Sequence, residues 1–83
     1  MNLPPEVISY LGENAAAQGA PAPGPADDLF KSGVLDSFTL VDFVTLLEEH
    51  CGIKVPDADV RAENFRTVEA VGRYVESRGG GGA

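Results

Sequence analysis

Few side chains in this 83-residue chain could do chemistry: one histidine, one cysteine, a spread of acids, and a serine in the stretch "LFKSGVLDSFTLVDF", Leu29 to Phe43. Nucleophilic catalysis needs a base within about 3 Å of the attacking hydroxyl. His50 stands thirteen residues after Ser37, which on one straight helix is roughly 20 Å of rise. The two therefore cannot pair, and His50 reads as an exposed residue near a helix C-terminus, where positive charge is favoured. Cys51 falls on the apolar side of the same helix and reads as a small core residue. One His beside one Cys is not a metal-ligand set, and the acids lack calcium-loop spacing. No glycine-rich phosphate loop of known spacing is present.

Ser37 is left. It could be a helix cap, a nucleophile or an attachment point. As a cap it has a better neighbour: Asp36 can occupy the N-cap and accept from the N–H of residue 38 or 39. Ser37 then falls at the first helical position, with its hydroxyl outward at the positive end of the helix dipole. Free N–H groups there would favour an anion attached to that oxygen, a phosphate above all. The same pattern is also met by a bystander hydroxyl, and the residues by themselves leave both open.

The outward face of the helix is the second clue. Phe38, Val41, Asp42, Thr45 and Glu49 lie together, with Leu46 at the edge. An apolar pair ringed by acids reads as a docking surface. The alternative is that Phe38 folds back over the turn at Gly33–Leu35.

The elements that must position these residues follow from periodicity. "PPEVISYLGENAAA" reads as a first helix, entered at Pro4 and Pro5 with Val7, Ile8 and Leu11 on its apolar face and Gly19 ending it. "QGAPAPGPADD" has three prolines and two glycines, a density that neither helix nor strand tolerates. Leu29 and Phe30 are expected to pin the end of this long loop to the core, and Gly33 to supply a turn. A second helix is predicted from about Asp36 to Cys51, with Leu40, Phe43, Val44, Leu47 and Cys51 on one side and Gly52 as its C′ residue. "IKVPDADVRAENF" reads as a connector with one short helical turn near Val60–Asn64. Thr67 can cap a last helix, "VEAVGRYVESR", with Val68, Val71 and Val75 at helical spacing. The expectation is an all-α domain over 1–78, three main helices and a short fourth, followed by a flexible glycine-rich tail over 79–83.

Size and composition narrow the function classes. One small domain buries a limited core and has no room for a substrate pocket, so an autonomous enzyme is disfavoured and chemistry is to be borrowed from a partner or cofactor. Thirteen Asp and Glu against six Lys and Arg give a net charge of −7. Residues 1–60 carry ten acids and two bases, and residues 61–83 three acids and four bases. An acidic face disfavours nucleic acid and anionic membranes and favours basic partners, although excess charge also serves solubility. A lone cysteine allows no internal disulfide. No signal-peptide pattern or apolar run of about 18 residues is visible, so a cytoplasmic, monomeric protein is expected.

"LFKSGVLDSFTLVDFVTLLEEHCGIKVPDADV" resembles the acyl and peptidyl carrier protein family of phosphopantetheine-binding domains. The likeness includes the Asp-Ser pair opening the second helix and the run "LLEEHCGIKVPDADV", and "ENFRTVEAVGRYV" matches the start of the last helix. The resemblance implies a right-handed four-helix bundle of the acyl-carrier type, with a short third helix. It implies that Ser37, beside Asp36, receives 4′-phosphopantetheine from coenzyme A through a magnesium-dependent phosphopantetheinyl transferase. The terminal thiol would then carry an acyl or aminoacyl group as a thioester. A loading enzyme and downstream synthase or tailoring enzymes would be the partners, met at Phe38, Val41, Asp42, Thr45, Glu48 and Glu49.

The chain departs from the commonest family pattern. The residue after the serine is most often Leu or Met, and here it is Phe38. "SGVLDS" replaces the Gly-Ala-Asp-Ser of fatty acid carriers and the Gly-Gly-Asp/His-Ser of peptidyl carriers. "LF…SG.LDS" is more similar to stand-alone carriers, including the D-alanyl carrier of teichoic acid synthesis. "NFRTV" is similar to carriers of glycerate-derived extender units. The expectation is a discrete carrier of polyketide or nonribosomal peptide biosynthesis, with a D-alanyl-type carrier or an unmodified helical adaptor as alternatives.

Overall fold

The computed structural model describes residues 3–79, and three α-helices and two 3₁₀ turns make up their regular structure. Helix α1 spans Pro5–Ala17. The Pro4 carbonyl accepts from Val7 and Ile8 N–H at 3.1 and 3.2 Å, and Pro5 opens the helix without forfeiting a donor that needed a partner. Gly19 closes it at φ 72°, with Ala20 N–H reaching back to the Ala15 carbonyl at 2.9 Å and Gly19 N–H to Ala16 at 3.0 Å. This is the reciprocal bonding of a Schellman end, which needs a residue in the left-handed region. Val7, Leu11 and Ala15 are buried. Ile8, expected with them, is 44% exposed, because the groove it borders with Pro25 of the long loop and Val68 and Gly72 of the last helix is left open.

Helix α2 spans Thr39–Cys51 and buries Leu40, Phe43, Val44 and Leu47. It ends as anticipated at Gly52, φ 67°. Its regular part begins three residues later than the sequence predicts, although Leu40 N–H already bonds the Asp36 carbonyl at 2.9 Å. Cys51 sits at the margin of the core, half-buried.

Helix α3, Val68–Ser77, is capped by Thr67, whose hydroxyl accepts from Ala70 N–H at 3.0 Å. Val71 and Val75 are fully buried, and Val68 packs at the edge.

The connector, where one short helical turn was expected, forms two 3₁₀ turns, Asp57–Asp59 and Ala62–Asn64. Val60 and Arg61 separate them with non-helical backbone, at φ −79°, ψ 81° and φ −140°, ψ 147°. The Asn64 side chain takes the Asp59 carbonyl at 2.8 Å, a group that a continuing helix would have used. Among the described residues the fold is all-helical, with the three main helices expected and, near Val60–Asn64, the expected short turn in 3₁₀ form at Ala62–Asn64. Residues 80–83 of the expected tail lie outside the described residues.

One aromatic chain threads the core. Tyr10 of α1 stacks on Phe43 of α2 at 6.1 Å. Phe43 meets Phe65 edge-on at 6.4 Å, and Phe65 meets Tyr74 of α3 at 5.2 Å. The long loop joins this core through Leu29, Val34 and Leu35, all buried. Its backbone is tied by Leu29 N–H to the Arg66 carbonyl at 2.7 Å and by Glu69 N–H to the Pro25 carbonyl at 3.1 Å. Phe30 packs partly against the core, and Gly33 turns the chain at φ 84°. The loop is thereby fixed at both ends of the segment that delivers Ser37.

Candidate functional site

Asp36 does the capping. Its Oδ1 accepts from Phe38 and Thr39 N–H, both at 2.9 Å, while the Thr39 hydroxyl accepts from Asp36 N–H at 2.8 Å. This is a capping box with threonine in the reciprocating position. The amides of Thr39 and Phe38 hold the Asp36 carboxyl below its ordinary value, since hydrogen bonds to the charged form favour it. Two first-turn N–H groups that would have received an anion at Ser37 are thus already taken by Asp36, which corrects the expectation of free donors there.

Ser37 is exposed, and its hydroxyl has no partner among the described residues. Phe38 does not fold back over the Gly33 turn; it is 83% exposed. The short arch Asp36–Phe38 stands out of the surface between buried Leu35 and buried Leu40.

Two residues that pattern reading overlooked hold this arch to α1. Tyr10 donates its hydroxyl to the Thr39 carbonyl at 3.3 Å, and Asn14 donates its side-chain N–H to the Val34 carbonyl at 3.2 Å. The available signal was a pair of polar-tipped residues four apart on the flank of an otherwise apolar helix face.

Along α2, Val41 is 57% exposed, and Asp42, Thr45 and Glu49 are exposed beside it. Thr45 turns its hydroxyl back to the Val41 carbonyl at 3.1 Å. Glu48 stands apart from this group: it is half-buried, and its Oε2 accepts from Val55 N–H at 2.9 Å. It ties the connector to α2. Between the two lies a cleft of about 440 Å³, walled by Val41, Val44, Val55 and Val60 with Asp57 at its rim.

The other reactive types are elsewhere. His50 lies at the far end of α2, with Nδ1 3.9 Å from Glu6 of α1. Burial pushes the Cys51 thiol up, which lowers its thiolate fraction. Among the described residues no group of acids, His and Cys is arranged to hold a metal ion.

The Ser37 hydroxyl is thus unengaged on a short arch whose neighbouring backbone is held, and among the described residues His50, at the far end of α2, is not beside it. The family described as phosphopantetheine attachment site matches the chain over residues 7–75, and the chain belongs to that family. Its members are carriers that hold a covalently attached 4′-phosphopantetheine. No curated protein matches the chain. No helix among the described residues is long and apolar enough to cross a membrane.

Proposed function

We propose that Ser37 is the attachment point and that the chain is a discrete, non-catalytic carrier, presenting an acyl or aminoacyl cargo to partner enzymes. The observation that carries this reading is the state of Ser37: its hydroxyl is exposed and unengaged, while hydrogen bonds anchor the backbone on either side of it. A primary alcohol so placed fits a phosphodiester. In the attachment step Ser37 Oγ forms the new bond to phosphorus as the bond to the departing nucleotide of coenzyme A breaks. The hydroxyl proton goes to a base of the transferase, because His50 is at the other end of α2.

When bound, the group supplies a thiol that holds the cargo as a thioester. Asp36 keeps the Phe38 and Thr39 amides for itself, so an anion on Ser37 Oγ is left to solvent rather than drawn onto the helix. That suits a handle whose arm must swing. Phe38, Val41, Asp42, Thr45 and Glu49 form the docking face for the transferase, a loading enzyme and downstream enzymes, all matched by a basic-rimmed apolar surface. Glu48 contributes by holding the connector that borders this face. The two 3₁₀ turns stand where a carrier fold of four helices has its short third helix. We place the protein in specialised-metabolite assembly, a reading supported by the "LF…SG.LDS" and "NFRTV" stretches, and take it to be a cytoplasmic monomer.

The test is mass. Incubation with coenzyme A and a promiscuous phosphopantetheinyl transferase should add one phosphopantetheine to the wild type and none to Ser37→Ala. A wild type that stays unmodified sinks the reading and leaves the unmodified adaptor.

A further inference from the structure

Helix α1 bears no residue of the docking face, yet it sends two side chains to the Ser37 arch. We infer that Tyr10 and Asn14 are positioning residues, which hold Ser37 in the register that a transferase must meet. The inference rests on Ser37 being the attachment point.

The two contacts straddle the serine. Asn14 holds the Val34 carbonyl, three residues before it, and Tyr10 holds the Thr39 carbonyl, two residues after it. The pair lie one helical turn apart on α1, so one rigid element fixes both feet of the arch. Between the feet, Asp36, Ser37 and Phe38 are all exposed. Their side chains are unpacked; the capping box sets their curvature, buried Val34, Leu35 and Leu40 hold the neighbouring backbone in the core, and the two contacts from α1 fix how the arch is set against that helix.

Core formation does not require either polar tip. The Tyr10 ring stacks on Phe43, which a phenylalanine would do equally. The Thr39 carbonyl, being inside a helix, already serves the N–H four residues on, so the Tyr10 bond is additional to the helix. Asn14 occupies a half-buried position beside Leu11 and Ala15 where an aliphatic side chain would bury more apolar surface. Both residues direct a donor at the arch.

Without them the arch keeps its cap and its buried flanks but is held less narrowly against α1, and that added freedom must be lost at each encounter with the transferase. That cost enters binding, so KM for the carrier rises while kcat stays. The experiment uses the full chain as wild type, Tyr10→Phe, Asn14→Leu, the double variant and Ser37→Ala. Steady-state modification is measured with coenzyme A and a promiscuous transferase, alongside amide hydrogen exchange of the unmodified proteins.

Each single variant should raise KM about threefold and the double variant about tenfold, the scale of one or two lost hydrogen bonds. Exchange should quicken at Phe38, Thr39 and Leu40 and stay unchanged at Val71 and Val75 of α3. An unchanged KM overturns the inference. So does an exchange increase that is equal in α3, because the two residues would then serve global stability alone. If the wild type gains no mass, or Ser37→Ala gains it, the attachment reading is what has failed. The exchange comparison then decides by itself whether α1 orders the arch.

Discussion

Asp36 and Thr39 cap each other: the Asp36 Oδ1 accepts from Thr39 N–H at 2.9 Å, and the Thr39 Oγ1 accepts from Asp36 N–H at 2.8 Å. Ser37 is enclosed within this loop of two bonds yet takes no part in either. The cap therefore fixes the backbone of the serine without occupying its hydroxyl.

The cap makes acid stability depend on Asp36. The Thr39 and Phe38 amides hold its carboxyl below the ordinary value of 3.8. A depressed folded-state value means that the stabilisation is present above the unfolded value and is lost as pH falls through the folded one. The melting temperature should drop as pH is lowered from about 4, and Asp36→Asn should lose less over that window. Asp28 contributes in the same direction, through the N–H groups of Lys31 and Phe30, so some acid sensitivity should survive in the variant. An acid limb identical in wild type and Asp36→Asn would remove the cap from the explanation.

At the alkaline side the reporter is Tyr74. Burial, then the Asp59 carboxylate that accepts from its hydroxyl at 2.7 Å, push its pKa up to about 12 from 10.0. Here the neutral form is the one favoured by folding. Its stabilisation is complete below pH 10 and is lost as pH rises from 10 towards 12. Thermal melts across that range should show a decline that Tyr74→Phe flattens. A decline of equal slope in the variant would assign it to other groups.

The docking face is tested by charge reversal. Asp42→Lys and Glu49→Lys should each change stability by under about 0.5 kcal/mol, as exposed substitutions do. Each should slow a partner reaction a few-fold, the scale of one exposed ion pair. The wild-type reaction should weaken with added salt, and the double reversal should weaken less. Unfolding of either variant, or partner rates unaffected by both, would put the face elsewhere.

Core and cap variants calibrate the scaffold. Leu47 is fully buried on α2, so Leu47→Ala should cost about 2–5 kcal/mol in urea denaturation, a large part of what a small domain has. Thr67→Ala removes the acceptor for Ala70 N–H and should cost about 1 kcal/mol. A Leu47→Ala loss no larger than that of Thr67→Ala would contradict the burial.

Much of the molecule was legible in short stretches of sequence. Apolar spacing located α1, α2 and α3, because a stripe at 3.6-residue period has only one way to be buried. Gly19, Gly52 and Thr67 marked helix ends through chemistry confined to a few neighbouring residues. The assignment of the cap to Asp36 rather than Ser37 was of the same kind. Local pattern also turned Phe38 and Val41 away from the face that buries Leu40, Phe43 and Leu47, while the tertiary structure decided that Phe38 stays exposed rather than folding over the Gly33 turn.

What local pattern could not supply is anything that joins residues distant in the chain. Ile8 lies close to the apolar face of α1 by spacing, but whether a neighbour covers it depends on where α3 and the long loop come to rest, and they leave it half-open. Glu48 looked like one more surface acid until the connector folded back and placed Val55 N–H against its carboxylate. The connector itself forms two 3₁₀ turns, since Val60 and Phe65 must both reach a core whose position is set by the helices. Tyr10 and Asn14 meet the Ser37 arch across twenty and more residues of chain. The Asp-Ser pair and the apolar spacing after it determined a capped helix with an outward serine beside its start, and the carrier reading came from the family resemblance. The local cap shaped the serine's backbone, but only the packing of α1 against that start decided how the arch is tied to the rest of the fold, because a hydrogen bond needs its two groups within about 3 Å, and no sequence interval specifies that.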